Sequence, residues 1–205
     1  MSVHTYSNIG NAGEGAAVTS KGRLFVLVGP SAVGKNTIMQ GVLAATPKMR
    51  QLPTMTTRPP RSGEAEGVQH YFVDLETFNQ MLADGDLLEH QEVHPGKFYG
   101  VPRQRTKDAL DRGDLLIADV DIYGAQALKT AFPDNVITIF VLPTTKEVLR
   151  QRLLERGEAD LEDRLRRAEL ELSHADEFDH QIVNDVLDHS IEMVSNIVQQ
   201  TLAAA

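Results

Sequence analysis

Short apolar runs alternate with amphipathic stretches along most of the chain. Arg23–Gly29 (RLFVLVG), Asp114–Asp121 (DLLIADVD) and Val136–Pro143 (VITIFVLP) are continuous apolar runs closed by Gly, Asp or Pro. That pattern predicts strands buried on both faces. His180–Asp185 (HQIVND) predicts a further strand. Helical spacing lies between them, over Asn36–Thr46, Arg103–Arg112, Tyr123–Ala131 and Thr145–Arg156, with a last helix over Asp188–Leu202. Leu161, Leu165, Ala168, Leu172 and Ala175 recur by four and three and define one apolar stripe. Strands alternating with helices imply βαβ units, hence an α/β fold built on a mostly parallel sheet with helices on both sides.

Leu52–Tyr99 breaks this rhythm. It is rich in Pro, Gly and aromatic residues and carries one predicted helix, Leu75–Leu82. We read it as a lobe inserted into the α/β core.

Composition narrows the picture. A chain of 205 residues with 41% hydrophobic residues suits one core with small appended lobes. There is no Cys, so disulfides and thiolate metal sites are excluded, and a reducing cytoplasm is the natural compartment. A formal net charge of -9 argues against a nucleic-acid partner. No apolar run is long enough to span a bilayer, so no membrane partner is expected. The seven His show no metal-ligand spacing. Residues 1–21, rich in Gly, Ala, Ser and Asn, read as a flexible tail without a signal peptide's apolar centre.

Candidate chemistry begins after the first strand. Gly29-Pro30-Ser31-Ala32-Val33-Gly34-Lys35 matches G-x-x-x-x-G-K between a strand and a helix, the context a phosphate-binding loop requires. The glycines let backbone N–H groups curl around phosphate oxygens at a helix N-terminus, and Lys35 supplies a point charge. Asn36 stands where this loop carries Ser or Thr, whose hydroxyl ligates Mg²⁺. An amide carbonyl is also a hard ligand, which leaves Asn36 as the candidate metal ligand. The Thr37 hydroxyl lies next door but points about 100° away along the helix.

A second anion site follows in Thr54–Phe72. Arg58 and Arg61 bracket two prolines, and polyproline II repeats every three residues, so both guanidinium groups are expected on one edge. A solvated basic turn is the plain alternative.

With these two motifs in hand, TTRPPRSGE…G…YF beside GPSAVGK resembles the guanylate kinase family, from about Arg23 to the C-terminus. The resemblance implies ATP-dependent phosphorylation of GMP, and of dGMP with it, to GDP by direct transfer, in purine nucleotide metabolism. Mg²⁺ is the implied cofactor, and a homodimer is left open. It implies a P-loop core (22–51, 103–144 and 168–205), a nucleoside-monophosphate-binding lobe (52–102) and a helical lid (145–167). On this resemblance Gly29 to Thr37 and Asn184 hold ATP, with Asn184 near the adenine. Arg58 and Arg61 grip the GMP phosphate, while Thr54, Glu64 and Tyr99 help. Glu89 accepts from the guanine edge, and Asp119 and Asp121 lie near base, ribose or a metal-bound water. Asp121 also reads as a helix N-cap. Arg152, Arg156 and Arg164 fall on the lid arginines that reach the transferring phosphoryl group. Arg166 and Arg167 read instead as solvated helix positions.

Three departures from the family pattern, Val101, His70 and Asn36 in place of the loop's hydroxyl residue, stand beside a mild one at Thr54. Val101 replaces a hydroxyl residue that donates to guanine O6, His70 replaces a phosphate-binding Tyr, and Thr54 stands where Ser is common. Val101 and His70 motivate an alternative, a related kinase with another monophosphate acceptor. Asn36 motivates a second, a catalytically weak guanylate-kinase-like binding module.

Overall fold

The computed structural model describes residues 21–155 and 161–204. The predicted tail therefore lies outside the described residues, except for Lys21, as does Arg156 with the residues that follow it up to 160.

Five strands form the central sheet. They are β1 (Arg23–Val28), β2 (Met49–Gln51), β7 (Leu115–Asp119), β8 (Val136–Pro143) and β9 (His180–Asn184). Their order is β2-β7-β1-β8-β9, and every pairing is parallel. The continuous apolar runs explain this placement. Phe25 and Leu27 of β1 enter one core cluster with Ile38, Ile139, Leu149 and Val194. Leu24, Val26 and Val28 enter a second with Leu116, Ile122, Leu128 and Phe140. Successive residues of a strand face opposite sides, so the two clusters are the two faces of one sheet.

Helices cover both faces. α1 (Lys35–Ala45), α3 (Arg103–Asp111), α4 (Ile122–Ala131), α5 (Lys146–Glu155) and α7 (Leu187–Ala203) fall where the periodicity places them, with ends differing by a residue or two. α6 (Leu161–Ser173) presents the apolar stripe, and a short 3₁₀ turn at Ala175–Glu177 leads into β9.

The inserted segment is richer in strands than its sequence suggests. β3 (Thr54–Thr56), β4 (His70–Phe72), β5 (Leu87–His94) and β6 (Lys97–Pro102) form a second sheet in the order β4-β3-β6-β5. Its pairings are antiparallel except β3 with β4. The helix α2 (Leu75–Ala83) starts at Asp74, whose carboxylate accepts from the Thr77 N–H at 2.7 Å. It buries Phe78 against Met55 and Leu87 in a small core of its own. Among the described residues no helix is long and apolar enough to cross a membrane.

Candidate active site

The phosphate loop leaves β1, the middle strand of the sheet. Gly29 has φ +138°, and a Cβ there would lie 2.5 Å from the Val141 carbonyl oxygen. Only glycine fits that approach. Ala32 adopts φ 63°, a left-handed conformation that strains a non-glycine residue. Ala32 and Val33 bury their side chains in the core, so they offer a ligand backbone only. Ser31 is exposed, Pro30 is buried, and Asn36 and Thr37 open to solvent in the first turn of α1. Lys35 Nζ donates to the Gly29 carbonyl at 2.6 Å and to the Pro30 carbonyl at 3.3 Å. It also lies 3.8 Å from Asp119 Oδ1, at the C-terminal end of β7. Open α/β sheets bind ligands at these strand ends.

Asn184 ends β9 directly behind this loop. It is buried, its Nδ2 donates to the Val33 carbonyl at 2.7 Å, and its Oδ1 accepts from Ser190 Oγ at 3.0 Å. The side chain is thus turned to the loop backbone. Arg152 of α5, expected to point at a transferring phosphoryl, also donates to the Val33 carbonyl, at 3.1 Å.

The second anion site centres on Arg58, which is only 6% exposed. Both guanidinium arms meet the Glu64 carboxylate at 2.6 Å, Nε donates to Tyr99 Oη at 2.8 Å, and the Pro59 carbonyl accepts at 3.0 Å. The expected single edge gives way to a different arrangement, because the turn folds back on itself. Arg58 is enclosed and Arg61 exposed, and Glu64 joins them by accepting from the Arg61 backbone N–H at 2.7 Å. These bonds hold the Glu64 carboxyl down at about 2 and keep Arg58 firmly protonated.

His70 completes the cluster. Its Nδ1 meets Thr54 Oγ1 at 2.8 Å across the β3–β4 pairing, and its ring packs edge-on against Tyr99. Burial and the Arg58 charge lower its basicity. Thr54, Arg58, Arg61, Glu64, His70 and Tyr99, scattered in sequence, therefore share one corner of the second sheet. Val101 does not. It is wholly enclosed in the core cluster of Leu116 and Ile122, on the next alternation of β6.

A further group of carboxylates gathers around the end of β7 and the start of α4. Glu89 of β5 packs over the start of α4, where a Cβ on Gly124 would lie 3.2 Å from its carboxyl carbon. Burial, helped by the nearby Asp121 charge, raises the Glu89 carboxyl to about 7. Asp121 caps α4 by accepting from the Gly124 N–H at 2.9 Å, so the capping role holds. Desolvation raises Asp119 as well, against the pull of Lys35.

Two residues passed over in the sequence join this group. Arg167, read as solvated, reaches Asp121 Oδ2 at 3.6 Å and Glu171 Oε1 at 3.1 Å. Glu171 is buried, with Lys35, Arg167 and Asp121 all acting on its carboxyl and desolvation raising it. The signal was available, since Glu171 follows Ala168 by three along the buried stripe and Arg167 by four. Arg166 is exposed and pairs with Asp163, as its place off the stripe predicts. Arg164 is half-buried on α6. Arg156 lies outside the described residues.

No three His, Cys, Asp or Glu among the described residues form a metal-binding group. Hard oxygen donors beside the loop include the Asn36 amide at the start of α1 and the Asp119 carboxylate, 3.8 Å from Lys35. Such hard oxygens suit a cation that arrives on nucleotide phosphates and keeps most of its waters.

Comparison with known proteins fits this geometry. The guanylate kinase family model matches residues 21–201. A guanylate kinase of Gluconobacter oxydans (strain 621H) is 41% identical over 181 residues, which is 87% of this chain and 86% of that protein. One from Chlorobium luteolum is 42% identical over 176 residues, 84% of this chain and 89% of that protein. The crystal structure of guanylate kinase from Anaplasma phagocytophilum superposes with a TM-score of 0.67. It is 34% identical and covers 89% of this chain and 87% of its own.

Proposed function

The chain belongs to the guanylate kinase family, and from that premise we propose how its residues divide the work of moving the γ-phosphoryl of ATP onto GMP. The enzyme phosphorylates GMP to GDP with ATP as donor. A phosphate oxygen of GMP attacks the γ-phosphorus, the bond to the bridging oxygen breaks, and ADP leaves. No covalent intermediate on the protein is needed.

The observation that carries the assignment of roles is the convergence of Lys35, Asp119, Asp121 and Glu89. Lys35 lies 3.8 Å from Asp119, and Asp121, two residues on, acts on the buried Glu89 carboxyl, which supports a donor-phosphate lysine and a base-reading carboxylate on neighbouring elements. Gly29 to Thr37 cradles the ATP phosphates with backbone N–H groups, and Lys35 moves from the Gly29 carbonyl to the outer phosphates. Arg58 and Arg61 hold the GMP phosphate with Tyr99, His70 and Thr54, while Glu64 fixes Arg58. Glu89 accepts from the guanine N1–H and N2 amino group, a donor edge that adenine lacks. Asp119 and Asp121 lie beside it. Val101 shapes the wall without donating a hydrogen bond.

Arg152, Arg156 and Arg164 lie in the lid (145–167), which closes with the lobe (52–102) over the core and excludes water. The lid arginines then stabilise charge on the equatorial oxygens of the transferring group. Mg²⁺ is the proposed cofactor. Asn36, Asp119 and Asp121 would hold it, and it would neutralise charge on the phosphates. This reading places the enzyme in the cytoplasm with the free nucleotides.

The test is ADP formation from ATP with GMP, dGMP, AMP, CMP and UMP offered in turn. GMP-selective turnover supports the assignment, and turnover only on another monophosphate moves the acceptor away from guanine. Loss of GMP selectivity in Glu89→Ala is the expected signature of the base site.

A further inference from the structure

We infer that Asn184 is a positioning residue that tethers the phosphate loop from behind, rather than a reader of the adenine base. The inference rests on the proposal that Gly29–Thr37 is the donor-phosphate site. It deepens that proposal by assigning how the loop keeps its shape.

Three observations carry it. First, the amide is committed at both ends. Nδ2 donates to the Val33 carbonyl at 2.7 Å and Oδ1 accepts from Ser190 Oγ at 3.0 Å. The side chain is 5% exposed and Ser190 is wholly buried, so reaching a base would mean breaking bonds in a dry site. The Val33 carbonyl fixes which way the amide faces, since only the nitrogen can donate to it, and that turns Oδ1 to the Ser190 hydroxyl.

Second, the loop it touches is strained. Left-handed backbone at Gly29, Ala32 and Gly34 brackets Val33, and Ala32 has no glycine's freedom. Such conformations persist only where surrounding contacts over-determine them. The Val33 side chain is locked in the core, and its carbonyl is held by the buried Asn184 amide at 2.7 Å, with Arg152 also donating to it at 3.1 Å. That carbonyl must point away from the ligand side if neighbouring N–H groups are to face phosphate.

Third, the amide is fitted to the glycine. A Cβ on Gly34 would lie 2.4 Å from Asn184 Nδ2. Gly34 therefore gives way both to the left-handed turn and to the tether. The last residue of β9 and the loop after β1 are locked together across the intervening strand β8.

The experiment separates loop from base. Inorganic tripolyphosphate has no base, so its affinity reports the loop alone. For Asn184→Ala, the Kd for tripolyphosphate and the KM for ATP should both rise about tenfold, the size set by losing one buried hydrogen bond. The relative kcat/KM values for ATP, ITP and CTP should stay within about twofold of wild type, since no base contact has gone. The KM for GMP should stay within the same range. Asn184→Asp keeps volume and the Ser190 bond but places an acceptor against the Val33 carbonyl, so it should lose tripolyphosphate affinity at least as strongly. Should either variant fail to fold, Ser190→Ala gives the same readout with a smaller loss.

Unchanged tripolyphosphate affinity with an altered ATP:ITP:CTP ratio would overturn the inference and return Asn184 to the base. Unchanged values throughout would overturn it as well. If wild-type protein binds neither tripolyphosphate nor ATP, the donor-site proposal itself fails and the inference falls with it.

Discussion

The carboxylate of Glu64 meets the guanidinium of Arg58 through two hydrogen bonds of 2.6 Å each, and the same carboxylate accepts the Arg61 backbone N–H at 2.7 Å. One acidic residue thus aims the arginine proposed for the GMP phosphate and closes the turn that carries its neighbour. Glu64→Gln keeps the shape but removes the charge assistance, and the KM for GMP should rise about tenfold while the KM for ATP stays put. Arg58→Ala should lower kcat/KM for GMP by about a hundredfold or more, because it also leaves Glu64 and Tyr99 without their partner. Steady-state kinetics with each substrate varied in turn decides both.

Lys35 anchors the loop in the free protein and is proposed to leave it for the outer phosphates. Lys35→Ala should cut kcat by about a hundredfold to a thousandfold, the usual scale for removing one electrostatic stabiliser of a transition state. The thermal midpoint should fall as well, because Gly29 and Pro30 are buried and their carbonyls lose this donor. A coupled ADP assay and a melting curve on the same sample test this.

Glu89 gives a pH prediction with a defined sign. Its carboxyl sits at about 7, and only the ionised form accepts from both guanine donors. The KM for GMP should therefore climb as pH falls from 8 to 6, while the KM for ATP stays flat. Glu89→Gln should raise the KM for GMP at every pH and flatten its profile. Stability should run the other way. The folded-state value lies above the ordinary 4.5, so the cost of charging this buried group is absent below that value and complete above about 7. Glu89→Gln should then melt higher than wild type at pH 8, with the gain gone near pH 4.5.

Arg167 and Arg166 are neighbours with different fates. Arg167 bridges Asp121 and the buried Glu171, while Arg166 pairs with Asp163 at the surface. Arg167→Ala should lower kcat/KM about tenfold by loosening the link between α6 and the start of α4, whereas Arg166→Ala should change it by less than about twofold. Equal effects from the two variants would contradict this.

Asp179 tests the scaffold apart from the chemistry. Its carboxylate accepts from the Thr138 N–H and hydroxyl at 2.9 Å each and from Lys129. Asp179→Ala should cost about 2 kcal/mol of stability without moving either KM. Denaturant melts alongside kinetics would show it.

β1, β7 and β8 of the central sheet were legible because their apolar runs are buried on both faces, whereas β2, with three residues, was not among the predicted strands and β9 is buried on alternate positions only. Runs such as VITIFVLP leave one reading, and helices fill the gaps between them. The second sheet was not legible, since β3 and β4 have three residues each and too little length for a period to show. The loop from Gly29 to Gly34 lies between β1 and α1, as its spacing predicts, whereas the single edge expected for Arg58 and Arg61 did not form. What sequence could not supply was direction. Arg152 and Asn184 turn to the Val33 carbonyl, Val101 turns into the core, and Arg58 and Arg61 part company at a turn. Each of these outcomes depends on a partner far along the chain, such as Val33 for Asn184, 151 residues away. Glu171 shows the reverse case, a buried carboxylate whose position follows from its spacing to Ala168 and Arg167.

The sheet order has a bearing on how the protein is made. β1 leaves the ribosome early, but its neighbours are β7 and β8, with Leu24 aligned to Leu116 on one side and Val136 on the other. Asn184 arrives later still. A nascent chain cannot close its nucleotide loop until nearly all of it has been translated, so loop residues made among the first are among the last to become competent. A chain truncated within β9 should emerge with its strands made and its grip on ATP missing.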